Sequence, residues 1–139
     1  MHVHPLVCKR RAFILVLIML ISSMSIVPVN ASLNAKSTTV WSGSVFLNDS
    51  YNVETGQILI VQEGTSIFLG DDKEIIIDGR INIEGSTTSP VILNSLDGNH
   101  NGIVFNSTSY GLNSIIDNLT ITNSKNGITI YGSNPVISN

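Results

Sequence analysis

The chain has 139 residues, room for one domain at most, and only 12% of them are charged, about half the roughly 25% of an ordinary soluble domain. The formal net charge is −3 and the one basic run is Lys9-Arg10-Arg11, which excludes the electrostatic footprint of a nucleic-acid or anionic-lipid binder. The single cysteine, Cys8, lies ahead of the first apolar run, so the chain after that run has neither a disulfide frame nor a Cys-based metal centre.

Residues 1–31 read as a secretory signal. Lys9-Arg10-Arg11 supplies the positive start, AFILVLIMLI (12–21) the apolar stretch, and Val29-Asn30-Ala31 small residues at −3 and −1, so cleavage is expected before Ser32. The alternative is an uncleaved membrane anchor over residues 12–28. Ser22, Ser23, Ser25 and Pro28 interrupt that stretch, whereas a bilayer span needs about 20 apolar residues. Cys8 lies on the wrong side of it for a lipidated lipoprotein cysteine. Removing the signal leaves Lys36, Lys73, Arg80 and Lys125 against ten acidic residues, a charge of −6. The mean hydropathy of +0.29 owes part of its value to the same segment. Residues 32–40 (SLNAKSTTV) are small, polar and aperiodic and read as a linker.

From Trp41 to Asn139 the apolar period is two, with no helical stripe. Alternating pairs are Ile58/Ile60, Ile67/Leu69, Ile75/Ile77, Ile81/Ile83, Ile103/Phe105, Leu119/Ile121 and Ile128/Ile130. Each belongs to a short segment punctuated by Gly, Asp, Ser or Pro, the pattern of short strands. The segments recur. Ile58, Ile81, Ile103 and Ile128 each closely follow a glycine, at steps of 23, 22 and 25 residues. A second series is Ile67, Val91, Ile115 and Val136; a third has Ile75 and Leu119, with its missing member expected where SLDGNHN (95–101) replaces a strand by a loop. Asn94, Asn118 and Asn139 align as corner residues, where Asn tolerates a left-handed backbone and can stack as an amide ladder.

This spacing predicts an all-β fold, a right-handed parallel β-helix. It has about four coils of 21–25 residues, with three short strands per coil, and follows the N-terminal signal helix. Ile58, Ile81, Ile103 and Ile128 are expected in one interior column. An antiparallel sandwich would also alternate, with hairpins at Asn101-Gly102 and Asn126-Gly127. Both dipeptides open the same kind of strand, NGIVF and NGITI, at one-coil spacing, which favours corners over hairpin tips.

VWSGSV (40–45), NVETGQILIVQEGTSIFLG (52–70) and IIIDGRINIEGSTTSPVILNS (75–95) resemble the opening of secreted proteins with parallel β-helix repeats, the pectate-lyase-like superfamily. Gly64-Thr65 and Gly85-Ser86 match its turn positions and Pro90 the start of a strand. The resemblance spans about residues 40–139 and implies the fold. For function it implies a wide range, from lyases and hydrolases of acidic polysaccharides to adhesins and surface proteins.

No catalytic constellation is legible. The closest is Asp71, Asp72, Glu74 and Asp78 with Arg80 nearby. Asp71, Asp72 and Glu74, on a turn led by Gly70, are weak candidates for Ca²⁺, the one cofactor the sequence suggests. The favoured reading is a solvated corner whose charges deter edge pairing. His100, the only histidine after the signal, is expected at the surface of its loop, without a second ligand for zinc. Asn48, Asn106 and Asn118 head glycosylation sequons, Asn48 and Asn106 being the more accessible. Trp41 is expected to cover the first coil. Trp41, Tyr51, Tyr110 and Tyr131 do not recur at coil spacing, and none is given a binding role.

The expected function is an exported, non-catalytic β-helix module, secreted or at the cell surface, that faces a surface polysaccharide or protein. The alternative is the N-terminal part of a polysaccharide lyase or glycoside hydrolase whose catalytic coils lie beyond residue 139. The last strand (135–138) carries no polar cap, so continuation into further coils, or end-to-end self-association through an open C-terminal coil, is expected.

Overall fold

The computed structural model describes residues 37–109 and 111–139. The expectations on the signal, on a membrane anchor over 12–28 and on Tyr110 fall outside the described residues.

Among the described residues thirteen strands wind as a parallel β-solenoid of about four coils. The first coil holds β1 (Thr38–Trp41), β2 (Ser44–Leu47) and β3 (Tyr51–Val53); the second β4 (Ile58–Val61), β5 (Ser66–Leu69) and β6 (Glu74–Ile77). The third holds β7 (Arg80–Glu84), β8 (Val91–Ser95) and β9 (Gly102–Phe105), and the fourth β10 (Ile115–Asp117), β11 (Leu119–Ile121) and β12 (Ile128–Ile130). β13 (Val136–Ser138) starts the next turn. Like strands stack into three sheets, which we call A (β1-β4-β7-β10-β13), B (β2-β5-β8-β11) and C (β3-β6-β9-β12). Every strand pair is parallel, so the Asn-Gly dipeptides are corners and not hairpin tips. β1 begins inside the segment read as a linker, with Thr38 opposite Ile58.

The bore is filled by aligned columns. Trp41, Val61, Ile83 and Ile116 stack in sheet A. Val45, Ile67, Leu93 and Ile121 stack in sheet B. Tyr51, Ile75, Ile103 and Ile128 stack in sheet C, beside Val53, Ile77 and Phe105. Most of these side chains are fully buried, each stabilising the fold by about 1.5–3 kcal/mol. A single coil encloses no such column, so coils hold only when stacked about 4.8 Å apart. Trp41 and Tyr51 meet edge to face in the first coil, centroids 4.8 Å apart, and Trp41 is 9% exposed.

The column expected from Ile58, Ile81, Ile103 and Ile128 does not form. Ile58 and Ile81 lie in sheet A, where Ile58 is opposite Arg80 and Ile81 opposite Leu59. Ile103 and Ile128 are true partners, but in sheet C. Two physical reasons account for this. The segment Ile-Leu-Ile-Val of β4 is apolar on both faces, so alternation carries no parity signal. Pairing with β7 decides it: Ile58 and Ile60 face outward beside Arg80 and Asn82, and Leu59 and Val61 face inward. The coils are also unequal. From Ile58 to its partner Arg80 is 22 residues, but from Asn82 to its partner Ile115 is 33. A count at fixed period therefore slips from one sheet to another within the third coil.

The same slip affects the other series. Ile115 and Val136 pair as expected, but in sheet A, while Ile67 pairs with Leu93 in sheet B and not with Val91. Ile75 and Leu119 belong to different sheets. The SLDGNHN loop replaces no strand; it lengthens the connection from β8 to β9. Asn118 is a one-residue corner between β10 and β11 with φ 46°, and Asn139 follows in register above it, next to the Asp117–Ser138 pair. Asn94 is out of that register: it lies opposite Phe68, and its Oδ1 accepts a hydrogen bond from Asn123 Nδ2 at 2.9 Å.

Candidate functional site: a groove on sheet C

Strand alternation puts Glu74, Ile76 and Asp78 on the outer side of the β6 segment, since Ile75 and Ile77 fill the bore. Ile76, Val104 and Thr129 align across β6, β9 and β12 as a floor. On one side Asn101 and Asn126 stand just before Gly102 and Gly127, at the corner where β9 and β12 begin. On the other, Asn106 and Tyr131 directly follow the paired Phe105 and Ile130. Together with Glu74 these side chains line a cavity of about 310 Å³. Gly102 lies opposite Glu74 and adds no side chain to the groove. Tyr131 is 62% exposed.

The polar groups at the two sides are held from behind. Asn101 Nδ2 donates to the Asp72 carbonyl at 3.0 Å. Asn106 Nδ2 and Thr108 Oγ1 both donate to Asp78 Oδ1, at 2.9 and 2.6 Å. The bond from Thr108, then that from Asn106, holds the Asp78 carboxyl below its usual 3.8, so Asp78 stays anionic at neutral pH. Among the described residues no side chain pairs with the Glu74 carboxylate.

The acidic residues singled out in the sequence are drawn apart. Asp71 Oδ1 accepts from the Asn99 backbone N–H at 2.9 Å and so braces the loop of the next coil. Asp72, at φ 59°, pairs with Lys125. Glu74 alone of the three enters the groove. Arg80 lies in sheet A, its Nε donating to Asn82 Oδ1 at 3.1 Å. Among the described residues no three His, Cys, Asp or Glu side chains converge as a metal cage would. Of the sequon asparagines, Asn48 is exposed. Asn106 and Asn118 are partly buried and their amide nitrogens are occupied, by Asp78 and by the Gly85 carbonyl at 3.2 Å.

His100, expected at the surface, is fully buried. Its Nδ1 accepts from the Gly102 backbone N–H at 2.9 Å and its Nε2 lies 3.0 Å from the Thr122 carbonyl. A backbone N–H can only donate, so Nδ1 carries no proton and Nε2–H donates to Thr122. The ring is thus a neutral clip between the third and fourth coils beside the groove. Burial pushes its pKa below the usual 6.5, the bond to Thr122 opposing. Because the unfolded chain takes up the proton first, this contribution is complete above about pH 6.5 and is lost as pH falls below it. Thermal melts of the wild type are therefore expected to drop between about pH 7 and pH 5, above the range where carboxylates titrate. His100→Gln, which offers a similar donor and acceptor without a charge change, should flatten that drop. Parallel profiles for both proteins would refute the clip.

The sequence marks Asn106 only as a sequon and Tyr131 only as an aromatic without a binding role, and marks Asn101 and Asn126 as no site at all. The recurrence of Asn-Gly at positions 101–102 and 126–127 was the available signal. Phe46 and Phe68 are register partners on the outer face of sheet B, stacked with centroids 5.0 Å apart.

Comparison of the chain with protein-family models, with curated proteins and with solved structures finds no match.

Proposed function

We propose that the chain is an exported, non-catalytic parallel β-helix module of pectate-lyase-like type, secreted or displayed at a cell surface, whose sheet C groove binds a glycan. The observation that carries this reading is the groove's composition. An aliphatic and threonine floor is bordered by three asparagine amides, one carboxylate and an exposed tyrosine ring. Sugars present hydroxyls for the amides and apolar C–H faces for the ring. The signal-like residues 1–31 support export.

Binding is favoured over cleavage by the placement of the carboxylates. The carboxylate nearest in sequence on the same face, Asp78, is already engaged by Asn106 and Thr108, whereas glycoside hydrolysis needs a second carboxyl free to act beside the first.

The test is a panel of immobilised oligosaccharides probed with the full chain, together with Tyr131→Ala. Retention of at least one glycan class, weakened about two- to tenfold by Tyr131→Ala, is expected, since stacking on an aromatic ring is worth about 0.5–1.5 kcal/mol. Release of reducing sugar or unsaturated uronide from the same panel would refute the non-catalytic part. Retention of no glycan would refute the function.

A further inference from the structure

We infer that the groove selects glycans whose sugars carry protonated amines, and rejects uronate chains; this rests on the glycan-binding reading above. Two independent observations carry it. The first is charge. Among the described residues Glu74 is the only charged side chain lining the cavity, and Asp78, just past the end of β6, adds a second negative charge nearby. Among the described residues no basic side chain lines the groove. Lys125 is taken by Asp72, Lys73 lies 3.8 Å from Asp49, and Arg80 belongs to sheet A. A polyanion laid along β6 would meet two like charges with nothing to neutralise them.

The second is the direction of the hydrogen bonds. Asn101 and Asn106 each spend an N–H on a neighbour outside the cavity, the Asp72 carbonyl and the Asp78 carboxylate. Among the described residues, nothing donates to the side-chain oxygen of either asparagine or to the Glu74 carboxylate. Asn101 and Asn106 keep one N–H each, and Asn126, Thr129 and Tyr131 add further donors, but the carboxylate and amide oxygens offer more lone pairs than these hydrogens can fill, so acceptors are in excess. A ligand matches it by donating, and an ammonium group with three N–H donors satisfies the acceptors and the charge at once. A uronate carboxylate, an acceptor only, satisfies neither.

The experiment compares three oligosaccharides of equal length by titration calorimetry on the full chain: a deacetylated chito-oligosaccharide, its N-acetylated parent and an oligogalacturonate. The pH is chosen to keep the amines charged. The deacetylated oligomer is expected to bind about tenfold tighter than its parent, as a charge-assisted hydrogen bond implies. The oligogalacturonate should bind weakest. Glu74→Gln keeps the strand and its backbone bonds, and should remove most of the gap between the first two. Raising salt from about 0.05 M to about 0.5 M should narrow the gap too. Equal or tighter binding of the oligogalacturonate would overturn the amine selectivity and leave the glycan groove standing. So would a gap unaffected by Glu74→Gln. Binding of none of the three would remove both. A lysine oligomer binding as tightly as the amino sugar, with no loss on Tyr131→Ala, would show a bare charge effect and also overturn the inference.

Discussion

Replacing Phe105 with alanine is expected to destabilise the fold by about 3–5 kcal/mol, the largest loss from any single side chain of the bore. Phe105 is fully buried and is the bulkiest side chain in the interior columns at zero exposure. Its ring lies above Ile77 and below Ile130, so truncation opens a void that two coils share. Neighbouring coils cannot collapse into it without breaking the ladder bonds of β6 and β9. Native domains are stable by only about 5–15 kcal/mol. A melting temperature lower by more than about 10 °C follows for a domain near 100 residues. Ile137→Ala, at a side chain 50% exposed, should cost under about 1 kcal/mol. A loss at Phe105 no larger than at Ile137 would show that the ring is not enclosed by stacked coils.

Gly102→Ala is expected to cost about 2–5 kcal/mol, although it adds one methyl group. Gly102 has φ 83°, a conformation that penalises any Cβ. The methyl would also collide with the backbone oxygens of Gly127 and Asn126 in the coil above. These oxygens are held: the Gly127 carbonyl accepts from the Ile103 N–H at 3.0 Å and the Asn126 carbonyl from Ser124 Oγ at 2.6 Å, so retreat breaks a bond at this corner of the β9–β12 pair. Gly127→Ala is the control. A Cβ there meets nothing within 4 Å, and a change of about 0.5 kcal/mol or less is expected. Denaturant melts of the two variants check the pair. Equal losses would mean that close coil stacking at this corner is not what requires glycine. Because solenoids can unravel coil by coil, amide exchange in β9 and β12 should report the loss even where the global melt broadens.

The two substitutions also separate what could be read from the chain from what could not. Alternation in Ile81/Ile83, Ile67/Leu69, Ile75/Ile77 and Ile103/Phe105 gave the inward faces correctly, because each pair is flanked by polar or glycine residues. It failed at Ile58/Ile60, where β4 is apolar at all four positions and only the partner strand sets the face. The groove was half visible. In the sequence Glu74 reads as part of an acidic run, whereas the fold sends Asp71 to the Asn99 backbone and Asp72 to Lys125. Asn101, Asn106 and Tyr131 reach Glu74's face only through register across coils 24 to 28 residues apart in sequence, steps too uneven to count. His100 lies in a polar loop, and nothing local foretells its burial; the Thr122 carbonyl it needs comes from the next coil.

By itself the sequence determined the strand period, the parallel solenoid and the absence of a disulfide or Cys-based metal frame after Cys8. Those properties follow from local alternation, glycine-marked corners and composition, which act within one coil. Only the tertiary structure decided which residues share a column, which amides and carboxylate meet over sheet C, and that His100 is enclosed. Those depend on the length of each connection, since a coil of 33 residues beside coils of 20 to 22 moves every later side chain to a sheet that no fixed repeat foresees.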